Sequence, residues 1–303
     1  DTVKEYRRYQ IIEQVIYNRI KKEIENLKIK RKNSSFNIEL IIQVLEKISL
    51  VLEMQETNII SKDDFSQFFL ESNFSLHNEI SLTQIQQNTI LKDFDKSLQF
   101  DNTEFQEYLA AKQISRTSKY EQVFYDLTID ENIKEFKHGW LNVLNFLVEI
   151  KHDLVLPVIK LGNDLDDNNL FGVLKFANKK NLDDSTKSKT FRIILGYFNK
   201  HKLWITDSIT NVVSEFGKND LVILKNSITS NLDLNHSNYV EVGNACILIS
   251  SLFENEIVGG SEFIEIKPFL LHYLETDIKY REVVCRYTME CLIEILDVVE
   301  VKQ

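Results

Sequence analysis

Gly217-Lys218 is the only Gly-Lys pair in the 303 residues, and a loop that cradles phosphate needs a glycine before it and a hydroxyl after it. Val212 stands where the earlier glycine belongs and Asn219 where Ser or Thr would meet magnesium, so this chain has no Walker A motif. Asp164, Asp166, Asp167 and Asn168 form an acidic cluster of calcium-loop type. Asn169 occupies the place of the sharp-turn glycine, however, and Lys175 that of the bidentate glutamate, which points to an exposed inter-helix turn. His77, His138, His152, His201, His236 and His272 are scattered, with no His-Glu-x-x-His and no cysteine partner to build a metal site. No nucleophile elbow sets a serine or cysteine up for hydrolysis. Cys246, Cys285 and Cys291 lie in apolar helical stretches without Cys-x-x-Cys spacing, the pattern of reduced core thiols in a cytoplasmic protein. The residues therefore assemble no complete catalytic or metal centre, and the expectation is a non-enzymatic chain that holds no cofactor of its own.

The elements that carry these residues follow from composition. With 43% hydrophobic residues, two prolines and eight glycines, long helices run unbroken around a substantial core and turns fall to Asn, Asp and Ser. The fold class expected is all-α, with one small β-hairpin. No apolar run approaches the roughly 20 residues that span a bilayer, so no membrane partner is expected. A net charge of −10 repels nucleic-acid backbones. Lys28, Lys30, Arg31 and Lys32 form a basic run, read as a solvated helix C-terminus that complements the macrodipole.

Ile12, Val15, Ile16, Ile20 and Ile24 space a long amphipathic helix from Val3 to Leu27, and Ile38 to Leu52 a second, more deeply buried one. Ser61 with Asp63 and Asp64 opens a third, bearing Phe65, Phe68 and Phe69. Ser81 caps a fourth, and Ile90–Phe94 with Leu98–Phe100 flank Asp95-Lys96 as a hairpin. Helices followed by a hairpin describe a winged helix. Its recognition segment, Ser81 to Thr89, has no Lys or Arg, so a protein-facing role outranks DNA reading. Thr103 with Gln106 reads as a capping box opening a helix to Ile114, in which Phe105, Tyr108 and Leu109 share a face and Ala110-Ala111 permit close contact. Beyond Ser118, helical segments at Tyr120–Leu127, Trp140–Ile150, Leu170–Ala177, Phe191–Phe198, Ile205–Phe216, Leu221–Ile228, Val240–Phe253, Phe263–Leu274 and Arg281–Val299 recur in pairs about every 35 to 40 residues, which fits an irregular HEAT-like array.

The stretch Phe100-Asp101-Asn102-Thr103-Glu104-Phe105-Gln106-Glu107-Tyr108-Leu109-Ala110-Ala111 resembles the closing motif of the winged-helix domain in NACHT-type STAND NTPases, whose pattern is Phe, any, His, two any, then Phe-Gln-Glu-Tyr/Phe-Leu-Ala-Ala. Tyr17–Leu27, Ile38–Leu52 and Ile60–Phe65 resemble the helical linker and the start of the winged helix, and the helix at Trp140 resembles the Trp-bearing helix that often follows. The resemblance covers about the first half of the chain, the remainder being similar only as helical repeats.

What the resemblance implies is a helical linker domain at 1–58, a winged helix at 59–117 and a repeat-built sensor at 118–303, preceded in the same polypeptide by a P-loop NTPase domain that holds ATP or ADP with magnesium. Ligand capture by the repeats would release an ADP-locked state and permit nucleotide exchange and homo-oligomerisation in the cytoplasm, with a role in signal transduction such as antiviral defence against a phage protein. The family's His reaches the β-phosphate of ADP. Asn102 stands in its place, and asparagine donates one hydrogen bond but cannot become cationic, so the lock is weakened. Asn102 reads equally well as the residue that starts the helix. Two alternatives stay open: a freestanding helical-repeat scaffold for protein–protein interaction, and a DNA-binding regulator opposed by the charge.

Overall fold

The computed structural model describes residues 7–30, 37–71, 90–130, 132–231, 238–275, 284 and 286–293. The fold is predominantly helical with a few small strands. It divides into two compact units, Asp1–Leu154 and Val155–Gln303. The expected boundaries at 58/59 and 117/118 both fall inside the first unit, because the helices on either side of them pack on one central helix.

In the first unit, α1 (Arg8–Lys30) buries a narrow stripe of Ile12, Ile16, Ile20 and Ile24, one residue per turn, while Ile11 stays exposed. Asn37 caps α2 (Ile38–Met54) by accepting from Leu40 N–H at 3.3 Å, and α2 buries the broader face its sequence announces. β1 (Ile59–Ser61) leads into α3 (Lys62–Glu71), whose first turn Ser61 caps by accepting from Asp64 N–H at 2.9 Å. β2 (Leu91–Asp93) and β3 (Ser97–Phe100) form the expected hairpin, and β1 joins it antiparallel in the order β1-β3-β2, with Ile60 opposite Leu98 and Leu91 opposite Phe100. The expected helix at Ser81–Thr89 lies outside the described residues.

The central helix is α4 (Thr103–Ser115), followed by α5 (Tyr120–Thr128) and α6 (Leu141–Ile150). Between these last two, β4 (Ile129–Asp130) and β5 (Glu135–Phe136) make a small ladder that hydrophobic spacing alone does not announce. Polar bonds fix α1 along its length: Arg8 pairs with Glu104 at 2.7 Å, Tyr9 N–H donates to Glu149 at 3.1 Å, Glu13 pairs with Lys112, and Arg19 reaches Asp101 at 2.6 Å.

The second unit begins with α7 (Val155–Asp164), a helix the apolar spacing does not announce because Pro157 interrupts it. The proline sits in the first turn, where no backbone donor is needed. Next come a 3-10 segment at Asn168–Lys175, α8 (Asp184–Lys200), α9 (Asp207–Phe216), α10 (Leu221–Thr229), α11 (Tyr239–Glu254) and α12 (Lys267–Glu275), with residues 286–293 also helical. The acidic turn is an inter-helix turn: Asp167 Oδ1 accepts from Asn169 N–H at 3.1 Å and starts the 3-10 segment. Cys246 and Cys291 are buried, whereas Cys285 lies outside the described residues.

Helix ends show how a glycine-poor chain turns. Glu56, Asp166, Lys202 and Glu256 all take positive φ, between 53° and 57°. In each case the following N–H reaches back five residues to a carbonyl: Thr57 to Leu52, Asp167 to Gly162, Leu203 to Phe198 and Ile257 to Leu252. These are Schellman closures with charged residues in the left-handed position usually given to glycine; Asp166 is of the expected turn types, while Glu and Lys serve at the other three.

Candidate functional site

α4 is buried on nearly every side, because α2 packs against one flank and α6 against another. Ala110 and Ala111 have no exposed surface, and only side chains this small permit such close backbone approach. Phe100 and Leu98 form the inner face of the small sheet beside it. Phe105 lies under the Arg19 guanidinium at 5.1 Å, and Tyr108 meets Phe146 edge-on at 5.7 Å. Phe100, Phe105, Tyr108, Leu109, Ala110 and Ala111 are therefore core residues.

Asn102 is the N-cap of α4, with Oδ1 accepting from Glu104 N–H at 2.9 Å. This corrects the expected capping box: Thr103 is the first helical residue, and Gln106 does not fold back to it. Gln106 Nε2 instead donates to Glu53 Oε1 at 2.9 Å and to the Thr57 carbonyl at 3.0 Å, joining α4 to the closing turn of α2. Beside the cap, Asp101 is gripped by Lys92 at 2.9 Å and by Arg19, which together hold its carboxyl below the usual range.

A cavity of about 660 Å³ opens at this junction, lined by the end of α2, the start of α4 and the turn before α6. Of the residues singled out in the sequence, Thr103, Gln106, Glu107, His138 and Trp140 line it and Asn102 does not. Glu53 lines it as well, with no motif to mark it. One signal could have found Glu53 and Glu56: both place negative charge at the C-terminal end of α2, where the helix dipole disfavours it. Burial pushes Glu53 up to about 7, against the opposing hydrogen bond from Gln106. Burial also raises Glu107, which accepts from Asn142 at 2.8 Å. Gln106 itself is 4% exposed, and its Oε1 has no hydrogen-bond partner. With Nε2 committed to two acceptors, the amide orientation is fixed and the orphan atom is an acceptor.

Further along α4, Glu46 is fully buried and held by Arg116, whose Nη2 donates to Oε1 at 3.0 Å and whose Nε lies 2.6 Å from Oε2, and by Lys112 at 3.9 Å. Burial raises its pKa more than Arg116 lowers it.

In the second unit, Gly217 closes α9 against Phe191. A Cβ on it would stand 2.7 Å from the ring's Cδ2, so Gly217-Lys218 is a packing feature and no phosphate cradle. Among the described residues no group of His, Cys, Asp and Glu is arranged to hold a metal ion, and no helix is long and apolar enough to cross a membrane. Comparison with family models, curated proteins and solved structures finds no match to this chain.

Proposed function

We propose that the chain is the non-catalytic regulatory and ligand-sensing portion of a NACHT-type STAND NTPase, with residues 1–117 as linker and winged helix and 118–303 as a HEAT-like sensor for a protein ligand. The observation that carries the reading is the position of α4. The helix bearing Phe-Gln-Glu-Tyr-Leu-Ala-Ala is the one on which α1, α2, the small sheet and α6 all rest. A displacement of α4 would move each of them, as a relay between nucleotide and sensor requires.

In this reading Asn102 faces ADP bound by an NTPase domain of the same polypeptide. Its Oδ1 is spent on the cap, leaving Nδ2 to donate to a phosphate oxygen at the positive end of α4. ATP or ADP, magnesium and the phosphate cradle would come from that domain. Homo-oligomerisation, a cytoplasmic site of action and a defence role against phage proteins belong to the same proposal.

The full-length protein tests it. Asn102→His should lengthen ADP retention about tenfold at pH 6, where a charge-assisted bond forms, and Asn102→Ala should shorten it. A coding sequence without Gly-x-x-x-x-Gly-Lys-Ser/Thr ahead of Asp1, or a ligand response that survives truncation after Lys119, would overturn it.

A further inference from the structure

We propose that α1 is an exchangeable helix: it undocks as one body while α2, α4 and α6 stay folded, and the groove it leaves takes the same helix from a second copy of this chain. Such exchange would take place whether or not the chain belongs to a signalling NTPase.

α1 is held more thinly than its neighbours. α2 buries eight of its 17 residues, α4 seven of 13 and α6 six of 10, whereas among the described side chains of α1 only Ile12, Ile16, Ile20 and Ile24 are buried. These four recur at every fourth residue, so at 3.6 residues per turn the stripe drifts by about 40° at each step and presents no broad face. Ile11 and Tyr17 are exposed. Beside the stripe the hold is ionic, through Arg8–Glu104, Glu13–Lys112 and Arg19–Asp101, and each of these six side chains keeps between 19% and 45% of its surface in water. Pairs this exposed are weak singly and are screened by salt. α4 meanwhile packs extensively on α2 and α6, so those three helices hold one another without α1.

The surface under α1 shows which helix fits it. Its floor holds the buried rings of Phe105 on α4 and Phe146 on α6, with the Arg19 guanidinium 5.1 Å from the first and the Arg8 guanidinium 4.2 Å from the second. Its rim holds the acids Asp101, Glu104 and Glu149 and one base, Lys112. Glu149, on α6, accepts from Tyr9 N–H at 3.1 Å, one of the backbone donors that the first turn of α1 cannot satisfy within the helix. The ligand that fits is a helix that starts at Glu149 and carries two arginines about three turns apart, an acid between them and an aliphatic β-branched residue at every fourth position. Arg8, Glu13 and Arg19 with the four isoleucines make that pattern, and every copy of the chain carries it.

Hydrogen exchange of the full 303-residue chain at constant pH, followed by mass spectrometry in about 50 mM and about 500 mM NaCl, tests the undocking. Segments of α1 should exchange about tenfold faster than those of α2 and α4, and the higher salt should speed α1 roughly threefold further while leaving α2 and α4 unchanged. A fluorescently labelled peptide of residues 7–30 stands in for the helix of a second copy. It should bind the full chain carrying Arg8→Ala and Arg19→Ala with Kd on the order of 10 μM. The wild-type chain should bind it at least about thirtyfold more weakly, because the resident α1 competes at high effective concentration. Ile16→Asp in the peptide should abolish binding to both. Exchange of α1 in one step with α2 and α4, or at a rate indifferent to salt, would overturn the proposal. So would a peptide that fails to bind the doubly substituted chain at about 1 mM while the α2 and α4 amides of that chain stay protected, or one that binds equally well with Ile16→Asp.

Discussion

Glu46 in the first unit and Asn244 in the second are both completely buried where helices meet, and they are satisfied by different means. Glu46 relies on the charges of Arg116 and Lys112, each of which lies partly in solvent. Asn244 relies on neutral bonds: its Nδ2 donates to Asn199 Oδ1 at 3.1 Å and to the Leu203 carbonyl at 3.0 Å, while its Oδ1 accepts from Ile205 N–H at 3.0 Å. A second neutral group, Asn211 with Ser214 and Ser251, links α9 to α11 in the same way. Close packing in the second unit then comes from glycine, with Gly217 under Phe191 and Gly243 under Trp204, where the first unit uses Ala110-Ala111. Saturated amides do not titrate between pH 5 and 8, whereas buried carboxyls do. The lesson is that one fold class closes one buried helix junction with ionised side chains and another with neutral amides.

Each unit has one tryptophan, Trp140 in the first and Trp204 in the second, so Trp204→Phe and Trp140→Phe backgrounds let fluorescence follow either unit alone during urea unfolding. The largest effect expected is from Arg116→Met, which strands the Glu46 carboxylate and should cost the first unit about 3 kcal/mol at pH 8. The loss should shrink towards pH 5, because burial raises the Glu46 pKa and lets the stranded carboxyl give up its charge more readily, and adding Glu46→Gln should restore most of it. An equal loss at both pH values would remove the electrostatic half of the comparison.

Gly217→Ala should destabilise the second unit by about 2 to 3 kcal/mol at every pH, because the fully buried Phe191 ring cannot yield to a new methyl. A neutral result would mean that the second unit is less tightly packed than its contacts imply.

A smaller effect is expected from Glu53. Its folded pKa of about 7 lies above its ordinary 4.5, so its contribution is fully present below the lower value and disappears as pH rises through the upper one. The first unit should therefore lose roughly 1 to 2 kcal/mol between pH 5 and pH 8, allowing for solvent screening of a partly exposed group, and Glu53→Gln should flatten the profile. Stability that rises over this range would contradict the assignment.

The smallest is Glu256→Gly. It removes a left-handed penalty but loosens the unfolded chain, for a net gain of about 0.5 kcal/mol in a thermal melt.

Helices with one wet face were legible in the sequence, since α1, α2 and α5 keep apolar residues at helical spacing and the hairpin keeps polar Asp95-Lys96 between apolar strands. Less legible were places where tertiary packing overrode the local signal. Gln106 has the spacing of a capping box, yet Glu53 and the Thr57 carbonyl, about fifty positions earlier, offered its amide better partners. Pro157 reads as a breaker until it is seen in a first turn. The cavity joins residues 53–58, 103–107 and 137–140, a juxtaposition that no periodicity in one segment encodes. Its motif residues were visible as a motif, but their roles split, six into the core and Gln106, Glu107 and Trp140 into the wall.

The bonds that fasten α1 have a mechanical consequence. Arg8–Glu104, Tyr9–Glu149, Glu13–Lys112 and Arg19–Asp101 are strung along the helix axis, so a pull on Arg7 along that axis loads them together in shear, whereas a pull across it would open them one at a time. Optical-trap traces should show a single rupture in the first geometry and a graded one in the second. Tension delivered through α1 would reach α4 and α6 before any helix unwinds, which makes this helix a drawbar for the unit that it crosses.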